Sequence, residues 1–184
     1  DEPSGAHELL DELKLDEADS VLGIAAGGTT PYVLGGVEYT KSLGASTGML
    51  TCTPINQPSW CDVLIAVETG PEVLTGSTRM KAGTATKMVL NMITTSAMVG
   101  LGKSYSNMMV DLRATNDKLR DRAARIISTI CDVDRNQAMT LLDAADNSVK
   151  HAIVMHTQSV SRDVADELIA NAHGHLSRII GAES

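Results

Sequence analysis

Between Lys87 and Lys103 the chain carries no charged residue, and this run constrains the fold more than any other feature. It lies in the stretch ETGPEVLTGSTRMKAGTATKMVLNMITTSAMVGL, from Glu68 to Leu101. Met88, Val89, Met92, Ile93 and Ala97 recur at helical spacing, which predicts a helix from about Arg79 to Leu101. A helix that is apolar nearly all round is expected to be buried on more than one side. The uncharged run is shorter than the roughly 20 residues that span a bilayer, and it contains Asn91. No membrane partner is expected.

The start of this helix breaks a local rule. Thr75-Gly76-Ser77-Thr78 reads as a flexible loop, and Ser77 is a good N-cap type. Arg79 and Lys81 then place two cations at the positive end of a helix dipole, each disfavoured by about 0.3–1 kcal/mol. Two readings are open. An anion can rest on the free N–H groups and draw the cations to it. Alternatively, Arg79 and Lys81 pair with Glu68 or Glu72.

The rest of the chain reads as α/β. A helix is expected over 6–15. Val21–Ala26 is a short apolar run, as in a buried parallel strand. It breaks on Gly27-Gly28-Thr29-Thr30-Pro31, and a helix follows from Pro31 to Leu43, with Pro suited to its first position. Strands are expected over 46–53 and 62–68. Strand–helix–strand units imply a parallel sheet with right-handed crossovers. Ligands in such sheets bind beyond the carboxyl ends of the strands. The Gly27–Thr30 loop and the loop ending at Ser77 are both expected at that edge. Beyond Gly102, residues 103–112 read as amphipathic or irregular, and a helix is expected over 115–131. Short helices follow over 134–145, 148–156, 162–172 and 175–180. The expected division is a sheet domain over 1–131 and a small helical module over 132–184.

Composition narrows the function. The 184 residues carry a formal charge of −8, with 2% aromatics and no Phe. A chain with neither a basic stripe nor an aromatic platform is not expected to bind nucleic acid. Cys52, Cys61 and Cys131 show no CxxC spacing and read as reduced thiols, hence a cytoplasmic protein. The acidic start lacks the apolar core of a signal peptide. His151 and His156 are five apart, and His173 and His175 have no nearby ligand cluster, so no metal is expected.

The block GPEVLTGSTRMKAGTATKMVLNMI, followed by MMVDLRATNDKL, resembles the signature region of the N-acetylmuramic acid 6-phosphate etherases. These are relatives of the glucokinase regulatory protein and share its sugar isomerase (SIS) fold. GIAAGGTTPYVLGGVEYTKSLG resembles that family's glycine loop and helix, and CDVDRNQAMTLLDAADNSVKHAIVMH its C-terminal helical module. The resemblance implies an α/β parallel sheet of SIS type, here the C-terminal portion of the family's length. It implies cleavage of the lactyl ether of N-acetylmuramate 6-phosphate by elimination and hydration, without a cofactor, in a homodimer. The products are N-acetylglucosamine 6-phosphate and lactate. A non-catalytic sugar-phosphate-binding regulator is the alternative. The substrate-binding candidates are Gly27, Gly28, Thr29, Thr30, Glu72, Ser77, Thr78, Arg79 and Lys81. No catalytic residue is assigned, because the resemblance places the principal acid N-terminal to the matched region. The family's loop usually carries Ser and Arg where this chain has Gly27 and Thr29.

Overall fold

The structure, a computed structural model, describes residues 1–181. It divides into two compact units, one over Asp1–Met92 and one from Ile93 onward.

The first unit holds α1 (His7–Leu13), β1 (Ser20–Ile24), α2 (Pro31–Ser42), β2 (Ser46–Thr51) and β3 (Val63–Ala66). The strands form a parallel sheet in the order β1-β2-β3. Ser20 pairs with Ser46 and Gly48 with Val63. β2 is the middle strand, and every residue in it after Ser46 is buried. That matches the near-continuous burial of a strand with neighbours on both sides. Met49 packs with Val37 of α2 and with Cys61, and Val33, Leu34, Ile55, Trp60 and Leu64 close around them. β1 ends two residues before the expected Ala26, because the Gly28 N–H turns back to the Ala25 carbonyl at 2.9 Å.

Asp62 ties the start of β3 to β2. Its carboxylate accepts from the Thr47 N–H at 2.9 Å and pairs with the Lys41 ammonium at 2.6 Å. Lys41 and then Thr47 hold its pKa at about 2, below the ordinary 3.8. A carboxylate depressed in the fold adds stability above its unfolded pKa, and that stability is lost as pH falls through the folded value.

α3 (Lys81–Gly100) runs across the boundary of the two units. It does not meet the expectation of burial on several sides. Only Ala82 and Val89 are buried, while Met88 and Met92 are 55% and 57% exposed. Apolarity states what a helix can bury, but neighbouring elements decide what it does bury. No described element covers this face.

In the second unit, the segment 103–112, expected to be amphipathic or irregular, carries a short hairpin. β4 (Ser104–Tyr105) pairs antiparallel with β5 (Met108–Met109). Ser106 takes a left-handed φ of 51° in the two-residue turn. Tyr105, Val110 and Leu112 are buried in the unit's core. The turn before the hairpin needs glycine twice over. Gly102 has φ +69°, and a Cβ there would lie 2.5 Å from the Gly174 carbonyl carbon.

Five helices complete the unit: α4 (Asp117–Cys131), α5 (Arg135–Ala144), α6 (Val149–Gln158), α7 (Arg162–Asn171) and α8 (Ser177–Ile180). Local sequence sets several starts. The Asn116 side chain accepts from the Leu119 N–H at 3.0 Å. Asp134 and Gln137 form a reciprocal capping box before α5. Ile127, Leu142, Val149, Ile153, Val154 and Leu176 are fully buried among these helices. Lys150 is also buried, its ammonium donating to the Gly102 carbonyl at 3.0 Å and lying 3.4 Å from Asp111. Among the described residues no helix is long and apolar enough to cross a membrane.

The Asp62 tie makes one expectation measurable. Thermal unfolding midpoints should fall as pH drops from 3.8 toward about 2, the window of the Asp62 shift. Asp62→Asn should start lower and fall less steeply through that window, since one of the depressed carboxylates is gone.

Candidate functional site

The carboxyl edge of the sheet carries a cleft of about 200 Å3 within the first unit. Ala26 and Gly27 line it after β1, and Cys52 and Thr53 after β2. Thr69, Gly70, Pro71, Glu72, Thr75, Gly76 and Thr78 line it from the loop beyond β3, and Ala82 from α3. The topology explains the gathering: three parallel strands deliver all three following loops to one edge.

The floor depends on a tight turn. Gly28 has φ +70°, and a Cβ there would meet Ile55 at 2.8 Å and Thr51 at 3.2 Å. Gly28 therefore builds the loop while Gly27 faces the cleft. A Cβ on Gly27 would meet only the Thr29 hydroxyl oxygen, at 3.7 Å. Thr30 precedes α2 at the N-cap position but makes no side-chain cap bond.

The opposite wall is organised by Glu72. Its two carboxylate oxygens accept from the backbone N–H groups of Lys81 and Ala82, each at 3.0 Å. These are the orphan amides of a helix start, and a carboxylate there also meets the favourable end of the dipole. The Ala82 amide, then that of Lys81, lowers the Glu72 pKa below the usual carboxylate range. The Lys81 ammonium turns back to the Pro71 carbonyl at 2.9 Å.

This corrects two expectations. Ser77 is not the N-cap of α3, because the chain sends a carboxylate from nine residues before Lys81 to the same amides. The free N–H groups thought to await an external anion already hold an internal one. The alternative reading, in which Arg79 and Lys81 pair with Glu68 or Glu72, finds no side-chain ion pair among the described residues, although the Lys81 charge contributes to lowering the Glu72 pKa. Arg79 is exposed, while Glu72 meets Lys81 mainly through its backbone.

Of the candidates named from the sequence, Gly27, Glu72 and Thr78 line the cleft. Gly28, Thr29, Thr30, Ser77, Arg79 and Lys81 lie in the flanking segments and do not line it. Cys52 and Thr53 were missed. Their signal was topological, since they follow the middle strand at the same edge. The Cys52 thiol is buried, 3.6 Å from the Ala82 carbonyl oxygen. Hydroxyls, backbone amides and one carboxylate suit the cleft to hydrogen-bonding a polyhydroxyl ligand.

A short parallel sheet with its cleft at the carboxyl edge, followed by a helical module, makes this an α/β protein, the class that the resemblance to the sugar isomerase fold implies. Residues 106–171 match the family described as the C-terminal lid domain of glucokinase regulatory protein. The whole chain aligns at 47% identity with an N-acetylmuramic acid 6-phosphate etherase of Rhodopirellula baltica, covering 61% of that relative. An etherase of the same name from Prochlorococcus marinus is 51% identical over 91% of the chain and 53% of its own length. One from a Geobacillus species is 49% identical over 93% and 58%. Over nearly its whole length the chain is thus similar to proteins named N-acetylmuramic acid 6-phosphate etherase, and it spans between half and two thirds of the length of these relatives.

The Glu72 contact can be read directly. Glu72→Ala should speed hydrogen exchange at the Lys81 and Ala82 amides and lower the melting temperature. Unchanged exchange at both amides would show that the carboxylate is not their cap.

Proposed function

We propose that the chain contributes the phosphosugar-gripping part of an N-acetylmuramate 6-phosphate etherase, a carbon–oxygen lyase. In this reading the substrate's lactyl ether is cleaved by elimination from the open-chain sugar, followed by water addition. N-acetylglucosamine 6-phosphate and lactate are released, as in peptidoglycan recycling, and no cofactor takes part. The observation that carries the reading is the meeting of Gly27, Thr53, Thr75, Gly76 and Thr78 in one cleft, in a chain about half identical to named etherases. In this reading residues 1–131 are the sugar-phosphate domain, with the cleft held inside residues 26–82, and residues 132–184 are the helical module, which shares its core with α4.

The cleft's size supports a partial grip. At about 200 Å3 it lies below the ~300–1,000 Å3 of whole-ligand pockets. It suits a phosphate with part of a ring. Because Glu72 fills the first amides of α3, the phosphate rests on the loop backbone around Gly27 and Gly76, and Arg79 and Lys81 supply the positive field. We further propose a cytoplasmic homodimer, in which burial of the apolar face around Met88 and Met92 stabilises association. The protein takes neither nucleic acid nor membrane as a partner.

A second reading is a non-catalytic sugar-phosphate sensor. The match of residues 106–171 to the lid of a regulatory protein favours it, as do Gly27 and Thr29 in place of the family's usual Ser and Arg.

Lactate release from N-acetylmuramate 6-phosphate, measured on the chain alone and with the N-terminal part of a relative supplied, separates the two readings. The etherase reading expects lactate in at least the second case, and the sensor expects binding without lactate. Arg79→Glu should weaken phosphosugar binding by roughly 10–100-fold, the scale of one charge-assisted contact. Gly27→Ser should tighten it, since the space beside Thr29 accepts the side chain. Affinity unchanged in Arg79→Glu would remove that loop from the site.

A further inference from the structure

The second unit contains a polar cluster that the cleft does not use. Ser148 stands at the N-cap of α6, yet its hydroxyl makes no cap bond. It lies 2.6 Å from Nδ1 of His151 instead. The other ring nitrogen, Nε2, lies 2.6 Å from Oδ1 of Asp166 on α7. An ionised carboxylate only accepts, so Nε2 carries the hydrogen. Nδ1 then presents its lone pair to the Ser148 hydroxyl, which donates. The hydrogen-bond order hydroxyl, imidazole, carboxylate is that of an activated serine, with the ring turned so that Nδ1 faces the oxygen.

The surroundings favour the same roles. Arg162 Nε lies 3.6 Å from Asp166 Oδ2, so a cation steadies the carboxylate. The Arg162 Nη1 is anchored on the Ala145 carbonyl at 2.6 Å. Burial, and then the charge of Arg162, hold His151 below its ordinary pKa despite Asp166, which favours the neutral ring. Ser148 is half-buried and Asp166 exposed, so small molecules reach the cluster. At the start of α6 the Val149 amide goes to the Leu112 carbonyl and the Ala152 amide to that of Ser148. The amides of Lys150 and His151 have no acceptor among the described residues. They belong to the first turn after Ser148, at the positive end of a ten-residue helix.

We propose that Ser148, His151 and Asp166 form a serine-nucleophile site that accepts acyl groups from small activated carboxylic esters. The Ser148 oxygen bonds to the ester carbonyl carbon as its proton passes to His151 Nδ1. The carbonyl π pair moves onto oxygen, where the two first-turn amides stabilise the charge. Collapse of the tetrahedral intermediate expels the alcohol or phenol, which takes the proton from Nδ1. Water then repeats the sequence on the acyl-serine, releasing the carboxylic acid and restoring the hydroxyl. This chemistry is independent of the phosphosugar cleft.

The full chain is treated with p-nitrophenyl acetate and, separately, with a fluorophosphonate probe, and adducts are mapped by peptide mass spectrometry. Ser148 should be modified, and faster than the exposed Ser4 and Ser59. His151→Gln should slow the reaction by roughly 100-fold or more, the scale of general-base assistance. Asp166→Asn, on an exposed face, should slow it by about tenfold or more while circular dichroism stays native. A purely structural cross-link between α6 and α7 predicts otherwise. Ser148 left unmodified, or modified no faster than Ser4, overturns the proposal. An unchanged rate in Asp166→Asn also overturns it, and decides the matter if His151→Gln does not fold.

Discussion

The carboxylate of Glu72 on the first amides of α3 is the contact that the candidate site depends on. Beyond it, the loop from Thr69 to Ser77 is tied to α3 by the Lys81 ammonium on the Pro71 carbonyl. Its apolar residues Val73 and Leu74 are 80% and 72% exposed, so burial does not fix its path. Two charge-assisted hydrogen bonds do. They draw the loop over the sheet edge and set Thr75, Gly76 and Thr78 opposite Gly27. The same contact satisfies donors that would otherwise be left open at the helix start.

That arrangement changes how an anion can be held. A helix N-terminus with free amides is a ready phosphate site, but one already carrying a carboxylate is not. The cleft instead offers hydroxyls and glycine backbone, with a fixed negative charge on one wall. Such a site discriminates by hydrogen-bond geometry as much as by charge. Glycine is required at 28 for the turn, while the space beside Gly27 is open.

The second unit is built on a different basis. Its helices start at side-chain caps written in the sequence, and its interior is fully buried aliphatic residues with one buried lysine. Lys150 is paired and hydrogen-bonded, as a buried ammonium must be. Beside this core, Ser148 leaves its capping role and turns to His151. The helix start loses a side-chain cap and the surface gains an ordered polar chain.

Much of the fold was legible in the residues. The alternation of short apolar runs with glycine loops and amphipathic helices specified the parallel sheet, because buried strands and covering helices need those patterns. A helix was expected over 134–145 and α5 runs over Arg135–Ala144, and the Gly27-Gly28 loop was expected at the carboxyl edge of the sheet, where Gly27 lines the cleft. The capping of α3 was not legible, because Glu72 reaches it across a loop whose path no local rule predicts. The hairpin at 104–109 was hidden for a similar reason: four paired residues are too few to show a period. The exposure of Met88 and Met92 was misread, since pattern gives the helix and its apolar surface but not the neighbours. Local chemistry thus determined which segments become strands, helices and turns. Only the tertiary structure decided which carboxylate meets which amide, which face is covered and which residues share the cleft. Those outcomes depend on distances between segments far apart in the chain, and such distances exist only once it has folded.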